Sequence, residues 1–165
     1  MRHPSADEIV TWYTSVRRRT RLVAERIPET LLERSPAAGR FTPGDLVRHI
    51  AGTERWMWGE NAQLRPSRYP GHAEELARGL PEVLAYLDRL QDETSAIIAG
   101  LDDAALTARC ETVGGVDMRV WKWLRLMIEH QIHHRGQLYE VLGAAGVATP
   151  PIYGLTEPEV RARSQ

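Results

Sequence analysis

Four long segments of this chain carry apolar residues at helical spacing, separated by stretches rich in Pro and Gly. That pattern admits little besides a helical bundle, because each amphipathic helix has to lay its apolar stripe against the others. The first helix is predicted from about Ser5 to Glu33, opened by a capping box in which Ser5 is the N-cap and Glu8 stands three residues on. Pro36 and Gly39 close it. The second opens at Thr42, with Pro43 at the first helical position and Asp45 near the positive end of the dipole, and runs to about Leu64. Pro81 starts the third, which Gly100 ends. The fourth runs from about Asp117 to Ala145, stopped by Gly146 and the pair Pro150-Pro151.

The connections are long. Arg65 to Gly79, with Pro66, Pro70 and Gly71, suits a crossover better than a tight hairpin. Leu101 to Val116 is irregular, turned by Gly114-Gly115, and only around Cys110 to Val116 is there strand-like alternation. Thr156, Pro158 and Glu159 mark a short C-terminal helix. The expectation is a single all-α domain over residues 1–165, a four-helix bundle with long connections, and 165 residues is a length at which one core suffices.

Charge narrows the function classes. Lys plus Arg number 21 and Asp plus Glu 22, so there is no overall positive field of the kind that draws nucleic acid or an anionic membrane. The four arginines at 17, 18, 19 and 21 are offset by Glu25 and Glu29 and read as a solvated face. Cys110 is the sole cysteine, which excludes an intrachain disulfide and a Cys-rich zinc module, and it reads as a packing residue. The first residues lack the apolar core of a signal peptide, and no apolar run approaches the ~18 residues of a membrane span. A cytoplasmic protein is expected.

Four of the six histidines fall in the second and fourth helices. With about 100° per residue and His130 at zero, Trp123 and Val141 lie near +20°, Met127 near +60° and Leu138 near +80°, which defines the core-facing arc. His134 lies near +40°, inside that arc and one turn from His130. His133, near −60°, sits at its margin beside Leu126, and Gln137 lies near −20°. In the second helix Leu46, Ile50, Thr53 and Met57 mark the inward side, with His49 beside them. Two imidazoles at i, i+4 and a third from another helix form a chelate that leaves positions open on a divalent transition metal. The alternative is a set of hydrogen-bonded core histidines, which would leave several buried polar groups to be satisfied at about 1–3 kcal/mol each.

The segments His49-Ile50-Ala51-Gly52-Thr53-Glu54-Arg55-Trp56 and His130-Gln131-Ile132-His133-His134-Arg135-Gly136-Gln137-Leu138 resemble the two signature helices of the DinB/YfiT-like family. The resemblance implies a four-helix bundle, commonly a homodimer, with a three-histidine site for one divalent metal. By motif position the ligands are His49, His130 and His134. Zinc or nickel is the metal implied first, with iron or manganese compatible with the same donors. The characterised branches are thiol S-transferases using bacillithiol or mycothiol, and many relatives are associated with stress. A glutathione-dependent or isomerase role also exists on the scaffold.

From these readings the expected function is a metal-dependent thiol S-transferase that joins a low-molecular-weight thiol to an electrophile. A non-enzymatic metal-binding stress protein and a metal-dependent hydrolase are the alternatives. His133 and Gln137 are candidates for supporting roles around the ligands, in proton transfer or in hydrogen-bonding a ligand imidazole. Trp56, Trp58, Trp121 and Trp123 are expected in the core, with some walling a substrate pocket. Gly136, in mid-helix, costs about 1 kcal/mol relative to Ala and predicts a close contact there. Ile128, Ile132 and Tyr139 form an apolar stripe on the far side of the fourth helix, for which another helix or a second subunit is the expected cover. No Glu-x-x-His pair, His-Glu-x-x-His motif, Gly-x-Ser-x-Gly elbow or phosphate-binding Gly-rich loop occurs.

Overall fold

The computed structural model describes residues 2–164. Four helical rods form the bundle: α1 (Ala6–Ala24), a composite rod of α3 (Pro43–Thr53), a π-helical turn (Glu54–Trp58) and α4 (Gly59–Ala62), then α5 (Gly79–Ala99) and α7 (Val120–Ala144). Short elements complete the chain: α2 (Glu29–Leu32), α6 (Asp103–Thr107), an antiparallel pair β1 (Arg109–Glu111) and β2 (Asp117–Arg119), and α8 (Glu157–Arg163). α1 packs on α5 and α7, and α3 packs on the same two, so α1 and α3 stand diagonally although they are consecutive in the chain. That arrangement sets α3 beside α7, and with it His49 beside His130 and His134.

The predicted capping boxes form: the Ser5 hydroxyl accepts from the Glu8 amide at 3.2 Å, and the Thr42 hydroxyl accepts from the Asp45 amide at 2.9 Å. The first helix, however, is not continuous to Glu33. Pro28 has no amide hydrogen and its ring disfavours a helical residue before it, so α1 ends at Ala24 and Pro28 becomes the N-cap of α2. The fourth helix begins at Val120 and not at Asp117, because the backbone of Asp117–Arg119 is spent on pairing with Arg109–Glu111 across the turn at Gly115. The π turn was not foreseen. Its extra residue rotates the rod so that Glu54 and Trp58 face the interior while Met57, expected inward, is only partly buried.

Two apolar clusters fill the bundle, one around Val23, Leu46, Ile50, Leu87 and Leu138 and the other around Tyr13, Trp58, Val120, Trp123 and Met127. His130 and His134 fall on α7 between Met127 of one and Leu138 of the other. Arg17 and Arg21 correct the solvated-face reading: Arg17 donates to Gln91 and pairs with Asp92, and Arg21 pairs with Asp88, which ties α1 to α5. Cys110 is buried in β1, as expected of a packing residue.

The stripe on the far side of α7 is partly covered by the chain itself. Ile128 is buried, and Tyr139 packs on the first cluster with its hydroxyl donating to the Pro150 carbonyl at 3.1 Å, which leaves Ile132 exposed. The contact predicted at Gly136 is not made within the chain, since nothing lies within 4 Å of where its Cβ would stand. Among the described residues no helix is long and apolar enough to cross a membrane.

Candidate metal centre

His49 projects from α3 and His130 and His134 from α7, and one ligand nitrogen from each lies within 4.8 Å of the other two. His49 Nε2 and His130 Nε2 are 3.2 Å apart. Two nitrogens each about 2.1 Å from a shared ion stand about 3.0 Å apart at a right angle and about 3.4 Å apart at the tetrahedral angle, so the pair is spaced for one cation. None of the hydrogen bonds made by the three rings goes to a carboxylate among the described residues.

Hydrogen bonds engage the outer nitrogens of His134 and His49, whereas Nδ1 of His130 is buried without a partner. The Gln137 amide oxygen can only accept, so at 2.8 Å it takes the Nδ1 hydrogen of His134 and leaves the Nε2 lone pair free. The Gln137 amide nitrogen then donates to Nε2 of His133 at 3.2 Å. His49 Nδ1 lies 3.1 Å from the Tyr69 hydroxyl, which in turn lies 2.7 Å from Nδ1 of His72. A consistent proton placement runs from His49 to Tyr69 to His72 and again frees Nε2. Nε2 of His49 faces Nε2 of His130 across 3.2 Å, where the two atoms either share one proton or both turn lone pairs on a cation, and three converging imidazole nitrogens are the donor set a divalent metal fits.

Electrostatics act in the same direction. Burial lowers the His130 pKa to about 3, helped by the neighbouring His134, His49 and His133, and burial lowers that of His49 to about 4, helped by His134 and His72. Burial also lowers the His134 pKa, opposed by the hydrogen bond that its Nδ1 donates to Gln137. All three imidazoles are therefore neutral at neutral pH, the form that binds a metal.

The sequence-predicted residues thus divide. His49, His130 and His134 converge; Gln137 touches His134; His133 is exposed, with its ring edge-on to that of His134 at 4.9 Å and a hydrogen bond to Gln137. Trp58 stacks on Trp123 at 4.8 Å and stands 4.7 Å from His130, forming the inner wall, whereas Trp56 lies beneath Arg55 and Arg68 away from the rings.

Sequence reasoning missed Phe41, Tyr69 and His72. Phe41 lies 4.5 Å from the His72 ring and 5.2 Å from that of His49. Tyr69 and His72 belong to the crossover, which is held down at Gly52: a Cβ there would stand 3.0 Å from Pro70. The available signal was a tyrosine and a histidine flanking Pro70-Gly71 in a connection too long for its span.

The sequence model of the DinB superfamily matches residues 13–138, which include all three histidines. The chain belongs to the DinB superfamily. Among its DinB relatives is the uncharacterised protein YjoA of Bacillus subtilis, 26% identical over 150 residues, covering 90% of this chain and 96% of YjoA. The YjoA structure superposes with a TM-score of 0.73 over 90% of this chain and 99% of that one, at 23% identity. A DinB-like protein of Bacillus cereus gives 0.74 at 18% identity, over 91% and 97% of the two chains. YfiT of B. subtilis gives 0.71 at 17% identity over 87% and 89%, and is described as a probable metal-dependent hydrolase with an unusual four-helix bundle topology. These likenesses show the DinB fold, a mostly helical four-helix bundle.

Proposed function

We propose that this DinB protein is a metal-dependent thiol S-transferase in which His49, His130 and His134 hold one divalent ion, zinc or nickel foremost. The observation that carries the reading is a cup of three neutral imidazoles that no carboxylate touches. A divalent ion bound by neutral donors keeps its full charge and lowers the pKa of a thiol placed on an open position. S-transfer then asks little more of the protein: the thiol gives up its proton, sulfur bonds to the electrophilic carbon, and that carbon releases its leaving group with the bonding pair.

The chain's residues supply orientation and a proton acceptor. Gln137 and Tyr69 fix the ring orientations of His134 and His49. His133 and His72 stand one hydrogen bond beyond them, where each can take up the released proton. Trp58 and Phe41 wall the cup with apolar surface, which limits access of water to the reacting atoms.

Bacillithiol, mycothiol and glutathione are the thiols to assay, each with a chromogenic electrophile and with protein whose metal content has been measured. Turnover that needs both thiol and metal supports the reading. Full metal loading with no turnover under any thiol overturns it in favour of a metal-binding stress protein. The second reading is a metal-dependent hydrolase, favoured by the description of YfiT on the same fold, and its signature is turnover of an ester or amide without thiol. A homodimer belongs to the same proposal, with Trp12, Leu126 and Ile132 exposed on α1 and α7, and sedimentation showing only monomer would end it.

A further inference from the structure

A cleft of about 270 Å³ opens beside the histidine cup and shares His134 and Gln137 with it. Its apolar lining is Pro36, Phe41, Leu46 and Val141, and its one charged residue is Arg40. No hydrogen bond or ion pair engages the Arg40 guanidinium among the described residues. The nearest carboxylates in sequence, Glu33 and Asp45, are both committed to the buried Arg48, at 2.7 and 3.1 Å. The loop that presents Arg40 is built: the Ser35 hydroxyl donates to the Arg40 carbonyl at 2.8 Å, the Arg40 amide donates to the Ala37 carbonyl at 3.1 Å, and Gly39 turns the chain at φ +72°. Only glycine adopts that φ without strain.

We propose that this cleft is the electrophile site, and that it selects a small molecule with an apolar or aromatic body and a carboxylate that pairs with Arg40. The inference rests on reading the three-histidine cup as the reacting end. A ligand lying along Phe41 and Leu46 with its carboxylate at Arg40 directs its other end toward His134. The volume lies just below the ~300–1,000 Å³ of small-molecule sites, which restricts the body to a small one. Because Arg40 is exposed, charge pairing there is worth up to a factor of about five in affinity.

The test uses phenylacetate and its neutral analogue phenylacetamide, titrated into metal-free and zinc-loaded protein and followed by amide chemical shifts. In metal-free protein phenylacetate should bind about three- to fivefold more tightly than phenylacetamide, with the shifts centred on Phe41, Gln137 and Val141. Arg40→Gln should reduce the two affinities to within a factor of about two, with the circular dichroism and the zinc content unchanged. Equal affinities in the unaltered protein, a preference that survives Arg40→Gln, or shifts centred instead on the groove between Asn61 and Arg109 would each overturn the proposal. Failure of the metal reading shows separately, as absence of zinc uptake, because the metal-free titration does not depend on it.

Discussion

The amide oxygen of Gln137 lies 2.8 Å from Nδ1 of His134, one turn along α7, and fixes which nitrogen of that ring keeps its lone pair. Groups that orient a metal-bound histidine in this way typically change metal affinity 10–100-fold when removed, so Gln137→Leu should weaken zinc binding by roughly 10-fold or more. Gln137→Glu retains the acceptor oxygen and should recover most of the loss. Competition with a chromogenic chelator measures both. Unaltered affinity in Gln137→Leu would show that the hydrogen bond does not prepare the site.

His133 and His134 are adjacent in sequence but unequal in place, since His134 joins the cup and His133 is exposed at the end of the Gln137 bridge. His134→Ala should abolish stoichiometric zinc uptake, while His133→Ala should leave it close to one ion per chain. Elemental analysis after purification without a histidine tag decides the matter. Loss of metal from His133→Ala with retention in His134→Ala would reverse the assignment of the inward face of α7.

The inward face was legible because a helix of regular period converts residue number directly into direction: His130, His134, Met127 and Leu138 lie on one side of α7 in the structure as on the wheel. The same arithmetic failed past Thr53, where the π turn changes the period and brings Trp58 inward in place of Met57. Tyr69 and His72 carried no periodic signal at all. Their place is set by non-local contacts: Pro70 rests on Gly52, the Arg68 amide donates to the Trp56 carbonyl at 2.8 Å, and Arg48 binds the carbonyls of His72 and Ala77. Pro28, by contrast, carries a local signal that does break the first helix, although the apolar spacing on either side of it reads as one continuous helix.

Arg48, the residue before His49, is fully buried and donates to Glu33, Asp45 and the carbonyls of His72 and Ala77. Arg48→Met removes the cation and leaves two carboxylates and two carbonyls without their donor. Breaking a buried ion pair costs 3–5 kcal/mol, and the partial exposure of Glu33 and Asp45 places the expected loss near the low end, at about 3 kcal/mol by urea denaturation. The crossover should loosen more than the bundle. Hydrogen exchange should therefore quicken across residues 68–77 while the amides of α7 keep their protection. Uniform acceleration over both would mean that Arg48 serves the whole core and not the crossover.

Glu54 sits on the π turn with its side chain fully buried, accepting from the Tyr13 hydroxyl at 2.6 Å, and burial raises its pKa to about 8. The folded chain therefore keeps a proton that the unfolded chain releases near 4.5, and stability from this group is complete below that pH and is lost as pH rises through about 8. The histidines act oppositely. Their lowered values mean that the unfolded chain takes up protons first, so metal-free protein loses stability as pH falls from 6.5 toward about 4 for His49 and about 3 for His130. Between pH 6.5 and 8 both histidines are neutral when folded, and comparison with Glu54→Gln isolates the carboxyl. One proton held by the folded state alone gives a slope of about 1.4 kcal/mol per pH unit at most, so the unaltered protein should lose about 1 kcal/mol per pH unit relative to Glu54→Gln across that interval. Urea denaturation of the metal-free proteins at pH 6.5, 7.25 and 8 reads the difference. Parallel stability curves would place the Glu54 carboxylate in its ionised form inside the bundle and assign the buried charge to a cation that reaches it.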